Sequence, residues 1–130
     1  MMMRLVALAI AMTIAAPAAR AQSYPSKPVR MMVPYSTGSA TDALARLLAQ
    51  QLGEAFRHQV IVENQPGANG IPATTSVVQS APDGHTLIMI AANHVVNPSL
   101  YGKLPYDTLR DLTPIVRIAF APFILPVHPS

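Results

Sequence analysis

Val29-Arg30-Met31-Met32-Val33-Pro34-Tyr35-Ser36-Thr37-Gly38-Ser39-Ala40-Thr41-Asp42 is the stretch on which the reading of this chain turns. Its first five residues form an apolar run that tolerates Arg30 near its start, and a string of small hydroxyl residues and a glycine follows. Leu44, Leu47, Leu48, Leu52 and Ala55 then recur at helical spacing, while Arg46, Gln50 and Glu54 fall four apart on another face. Ser39 or Thr41 can accept a hydrogen bond from the first-turn amides of that helix, and Asp42 sets negative charge against its positive dipole end. A strand, a small-residue loop and an amphipathic helix in this order open a βαβ unit.

The rest of the chain continues the pattern. Apolar runs at 60–62 and 87–91 read as two more strands, the latter continuously apolar, as in a parallel strand covered on both faces. Between them a second helix is predicted from Pro72 to Gln79, since proline is tolerated in a first turn, and Pro82-Asp83-Gly84 turns the chain into the third strand. The alternation places the chain in the α/β class, with an open, mostly parallel sheet and flanking helices. Beyond Ala91, the pairs Asn97-Pro98, Leu104-Pro105 and Thr113-Pro114 predict turns and short extended pieces, and the apolar segment 115–120 predicts another strand.

Composition narrows the function. Of 130 residues, 51% are hydrophobic and 12% charged, which excludes a disordered chain, and 13 prolines make it heavily punctuated. Two of the nine basic residues, Arg4 and Arg20, lie in the leader, so the remainder is nearly neutral, with no basic cluster for nucleic acid. Cysteine is absent, which excludes disulfides, thiolate chemistry and a lipidated cysteine. Arg4, a short apolar run at 5–14, Pro17 and Ala19-Arg20-Ala21 predict a signal peptide at 1–21, cleaved after Ala21. That apolar run is shorter than the ~20 residues of a bilayer span, so an exported protein that is not itself membrane-embedded is expected.

In an open parallel sheet, ligands bind outside the carboxyl ends of the strands. Two loops occupy that position: 34–42, and Asn64-Gln65-Pro66-Gly67-Ala68-Asn69-Gly70. Backbone N–H groups in such loops approach an anion closely, and the following helix dipole favours negative charge, so a carboxylate and a phosphate both fit. Neither G-x-G-x-x-G nor a P-loop is present, and Ser36 lacks the glycine two residues earlier that a nucleophile elbow needs. His58, His85, His94 and His128 lack helical zinc spacing, so no metal or cofactor is expected. His94, following the third strand on the ligand side, is kept as a polar contact. The alternatives are a small exported hydrolase-like or phosphate-transfer enzyme using Ser36, Asp42 or His94, with nothing in the sequence ordering these into a base and nucleophile, or a non-functional structural fragment.

With these loops placed, the chain resembles the tripartite tricarboxylate transporter receptor family, the Bug-type periplasmic solute-binding proteins. The pieces that carry the resemblance are Tyr24-Pro25-Ser26-Lys27-Pro28-Val29-Arg30, Thr41-Asp42 with Leu44-Ala45-Arg46, Val62-Glu63-Asn64 with Pro66-Gly67-Ala68, Ala81-Pro82-Asp83-Gly84, and Asn97-Pro98-Ser99-Leu100-Tyr101 continuing to Leu104-Pro105-Tyr106-Asp107. The resemblance implies a periplasmic, non-enzymatic receptor of two-lobed flytrap type that captures a small carboxylate and delivers it to membrane permease subunits. It assigns ligand contacts to Tyr35, Ser36, Gly38, Ser39 and Thr41 in one loop and to Gly67, Ala68, Asn69 and Gly70 in the other. Asp42 would orient a ligand amine or water, or serve only the helix start, and Asn93 and His94 would approach the far end of the ligand.

The sequence departs from the family pattern at Ser39 and Asn69, where glycine is common, and at Gln65, where arginine is. Residues 22–130 correspond to a partial first lobe with the second lobe absent, which leads to the expectation of a fragment or remnant whose apolar tail, including Ile115, Ile118, Phe120, Phe123 and Ile124, promotes self-association.

Overall fold

The computed structural model describes residues 23–122 and 124–127. The predicted signal peptide, Phe123 and residues 128–130 lie outside them. Three strands, β1 (Val29–Val33), β2 (Val60–Asn64) and β3 (Thr86–Ile88), form a parallel sheet in the order β2-β1-β3. Helix α1 (Ala40–Phe56) joins β1 to β2, a 3₁₀ turn (Ala68–Gly70) and α2 (Ile71–Val78) join β2 to β3, and α3 (Asn93–Leu100) follows β3. The α/β class and parallel sheet expected from the sequence are those observed.

The central position of β1 explains its composition. Met31 lies opposite Val62 on one side and Leu87 on the other, so both neighbours pair along it. Val29, Met31, Met32 and Val33 are all buried although successive side chains point to opposite faces. Each such side chain stabilises the fold by about 1.5–3 kcal/mol relative to exposure. Arg30 instead reaches out to Glu63 on β2, with Nε 2.7 Å from Oε1 and Nη2 2.6 Å from Oε2.

Met31, Val33 and Ala45 form the core beneath α1, with Leu48, Leu52, Val60, Val62, Leu87 and Met89 packed around them. The buried stripe of α1 therefore matches the one expected at Leu48 and Leu52 and departs from it elsewhere. Ala45 and Ala49 sit against the sheet, while Leu44 and Leu47 are 37% and 60% exposed on the flanks. Small side chains four apart let the helix approach closely, with Leu48 and Leu52 packed beside them and Leu44 and Leu47 turned out to the flanks.

Three further expectations are corrected. The third strand is shorter than 87–91: it pairs only with β1, its residues are half-buried, and Ile90 and Ala91 lie beyond it, exposed. Residues 93–100 are helical rather than turned, with Pro98 inside α3. Residues 115–120 form no strand among the described residues, and Ile115 and Phe120 are largely exposed.

The segment before β1 is tied to the turn before β3. The Tyr24 hydroxyl donates to the Gly84 carbonyl (2.7 Å), Lys27 pairs with Asp83 (2.8 Å), and the His85 backbone N–H donates to Asp83 (3.0 Å). Lys27 and the His85 N–H together hold the Asp83 carboxyl down at about 2. Two of the sequence pieces that carry the resemblance, at 24–30 and 81–84, thus meet as a clamp at the amino end of the sheet.

Candidate functional site

Because the strands are parallel, the chain leaves all three at the same edge of the sheet, and the two candidate loops emerge side by side. Their roots are joined by the Gln65 N–H donating to the Val33 carbonyl (2.9 Å).

The first loop is organised by the start of α1. Ser39 is the cap: its Oγ accepts from the Asp42 N–H at 3.2 Å, which settles the choice between Ser39 and Thr41. Asp42 returns the contact one residue further back, accepting from the Gly38 N–H at 2.8 Å. Its carboxylate is only 2% exposed and also accepts from Arg46 Nε (3.1 Å), Arg46 Nη2 (3.0 Å) and Asn64 Nδ2 (2.8 Å). The Arg46 guanidinium foremost, then the Gly38 N–H and the Asn64 amide, bring its pKa down to about 2. Asn64, the last residue of β2, also donates to the Tyr35 carbonyl (3.1 Å) and accepts from Arg46 (2.9 Å). Asp42, Arg46 and Asn64 thus fasten the first loop to both α1 and β2. Of the predicted contacts here, Gly38 and Ser39 direct their N–H groups inward, the latter to the Ser36 carbonyl (3.1 Å). Ser36 is exposed and Thr41 half-buried.

The second loop is built differently. Gly67, Ala68, Asn69 and Gly70 have φ of 117°, 41°, 55° and 82°, four consecutive residues in a region that side chains disfavour. Gly70 is required at its place, because a Cβ there would lie 3.0 Å from the Pro34 side chain. Asn69 is held from outside the loop. Its Nδ2 donates to Asn97 Oδ1 (2.8 Å), and its backbone carbonyl accepts from Asn97 Nδ2 (3.1 Å) and Asn93 Nδ2 (3.2 Å). Tyr35 completes the junction: its hydroxyl donates to Asn93 Oδ1 and accepts from the Ala91 N–H at 3.2 Å.

Of the predicted residues, the structure brings Tyr35, Asn69 and Asn93 into one hydrogen-bonded cluster linking both loops to α3. His94 takes a different place. It is 5% exposed and stacked on Tyr106 at 5.9 Å, and burial lowers its pKa, so it is a packed, neutral ring in the body of the fold. Among the described residues, no hydrogen bond joins Ser36, Asp42 and His94 to one another. Sequence reasoning missed Arg46, Asn64, Asn97 and Tyr106 as supports of the site. Only Asn64 carried a local signal, as the polar residue ending an apolar strand. The two loops form an open wall: a groove of about 610 Å³ between α1 and the β2 edge includes none of their residues. No helix among the described residues is long and apolar enough to cross a membrane.

The chain is similar to known proteins in sequence and fold. Residues 44–130 match the family described as the tripartite tricarboxylate transporter family receptor. Protein BugT of Bordetella pertussis is 37% identical across 90% of this chain, which covers 36% of BugT. The periplasmic binding protein BugD superposes with a TM-score of 0.64 at 38% identity, over 68% of this chain and 29% of BugD. MatC from Rhodopseudomonas palustris, solved with bound malate, superposes with a TM-score of 0.65 at 37% identity, over 70% of this chain and 31% of MatC. The chain thus spans roughly a third of the length of the relatives it matches.

Proposed function

This chain belongs to the tripartite tricarboxylate transporter receptor family, and we propose that it forms part of a periplasmic receptor that captures a small carboxylate for the permease subunits of a tripartite transporter. The observation that carries this reading is the junction of the two strand-end loops with α3 through Tyr35, Asn69 and Asn93. It fixes a small polar surface at the edge of a parallel sheet where anions bind. A malate-bound relative at 37% identity supports a carboxylate over a phosphate.

In this reading Ser36, Thr41, Gly67, Ala68 and the Asn69 N–H face the ligand carboxylate, while Gly70, buried with its N–H on the Gly67 carbonyl, closes the loop behind them. Gly38, Ser39 and Asp42 shape the first loop, while Tyr35, Asn93 and the buried His94 hold the wall in place. Asp42, fully hydrogen-bonded, serves the helix start and not the ligand. The protein performs no catalysis, is exported by residues 1–21 with cleavage after Ala21, and works with a second lobe that closes over the ligand. Closure excludes water and strengthens contacts to the carboxylate. Isothermal titration with malate, citrate and a neutral sugar tests the reading. Binding of malate or citrate without the sugar is expected, and binding of the sugar alone would overturn it.

A further inference from the structure

Four left-handed residues in succession need support, and two of them, Ala68 and Asn69, are not glycine. An L-residue in this region costs roughly 1–2 kcal/mol relative to right-handed backbone, with asparagine better tolerated than alanine. Nothing within the loop offsets this beyond the Gly70 N–H donating to the Gly67 carbonyl (2.9 Å). External support comes from α3, through the half-buried Asn93 and through Asn97, whose side chain is wholly buried and makes the shorter contacts. Its carboxamide meets Asn69 twice, accepting from the side chain and donating to the backbone carbonyl. A carboxamide is suited to this paired role because it carries both a donor and an acceptor.

We propose that Asn97 is a positioning residue that acts through Asn69 to hold the loop Gly67–Gly70 in its left-handed, ligand-facing conformation, so that ligand affinity depends on a side chain that does not touch the ligand. The affinity arm of this inference rests on the carboxylate reading above. The loop-conformation arm does not.

A cycle of Asn97→Ala and Asn69→Gly in the full chain tests it, with malate affinity by calorimetry and amide hydrogen exchange at residues 68–70 as readouts. Asn97→Ala should speed exchange at these amides and weaken malate binding, each by about tenfold, as loss of a paired hydrogen bond to a strained backbone implies. In the Asn69→Gly background the same change should matter less than about twofold, because glycine takes positive φ unaided. A merely structural Asn97 would lower thermal stability equally in both backgrounds and leave loop exchange unchanged, and either result overturns the proposal. If Asn97→Ala does not fold, Asn69→Ala removes the side-chain half of the contact from the exposed side, leaves the Asn97 bond to the backbone carbonyl, and should loosen the loop in the same direction. Unchanged exchange in that variant also overturns it. Should the parent protein bind neither malate nor citrate, the affinity arm fails with the carboxylate reading, while exchange at 68–70 still decides the role of Asn97.

Discussion

The two loops at the carboxyl edge of the sheet are alike in composition and opposite in construction. The first places one residue, Gly38, in the left-handed region and is fastened by a carboxylate, a guanidinium and an amide. The second places four residues there and is fastened by neutral carboxamides and a phenol. The difference teaches that small-residue loops are not interchangeable cradles. One derives its shape from charge at a helix start, where few backbone angles are unusual, and the other from unusual backbone held by a distant helix. Their responses to substitution and pH should therefore diverge.

Removing the charge should have the largest effect. Asp42→Ala deletes the acceptor for Gly38, Arg46 and Asn64 at once, leaving the guanidinium half-exposed and two donors unpaired. Thermal melting should show the greatest fall in Tm of any change discussed here, and a variant melting with the parent would break the comparison at its first term.

Glycine substitutions separate the loops next. Gly38→Ala meets nothing within 4 Å and adds only the left-handed penalty, about 1–2 kcal/mol. Gly70→Ala carries the same penalty plus a Cβ 3.0 Å from Pro34, so about 2–4 kcal/mol is expected from denaturant unfolding. Equal losses would mean that Pro34 yields without resistance.

These details mark where the sequence was legible. The α1 cap, the central strand and the parallel sheet follow from neighbours in sequence: a hydroxyl three residues before an acid, an apolar run, and alternating periods. α3 was not legible, because Asn97-Pro98 has the local chemistry of a turn. Pro98 removes one helical donor inside the eight-residue α3. The helix persists because Asn93 and Asn97 bond the second loop and His94 stacks on Tyr106, partners far off in sequence. Likewise, leucine spacing named only part of the buried stripe of α1: Leu48 and Leu52 pack on the core, but closeness to the sheet selected Ala45 and Ala49 over Leu44 and Leu47. The site loops were legible by position and composition; of their supports, Asn64 carried a local signal and Asn97 carried none.

Titration gives smaller effects on each side. Asp42 holds its proton less tightly folded than unfolded, so its contribution is present above the ordinary carboxylate range near pH 4 and is lost as pH falls towards its folded value of about 2. Asp83, also at about 2, adds a loss in the same window, so Asp42→Asn should reduce the acid slope without abolishing it. Buried His94 resists protonation, whereas the unfolded ring takes a proton below its ordinary 6.5. Stability should therefore be level above that pH and decline below it, and His94→Phe, which keeps an aromatic ring against Tyr106, should remove this decline. Melting curves at pH 7.5, 5.5 and 3.5 distinguish the two windows.

The smallest change in stability should accompany a clear change in binding. Ser36 is exposed at the tip of the first loop, where its backbone carbonyl accepts from Ser39 and its side chain supports no neighbour among the described residues. Ser36→Ala should leave unfolding within about 0.5 kcal/mol of the parent, as for surface positions generally. A hydroxyl donating to a bound carboxylate is a charge-assisted contact worth about 1.5–3 kcal/mol, so malate affinity should fall by roughly tenfold or more. His58→Ala is the control: it is also exposed, but it lines the groove between α1 and β2, which includes no residue of the two loops. If Ser36→Ala and His58→Ala bind malate alike, the first loop contributes backbone alone and the ligand reads its shape, not its hydroxyls. If Ser36→Ala alone weakens binding, the charge-fastened loop is the one that presents side chains, and the left-handed loop the one that presents amides.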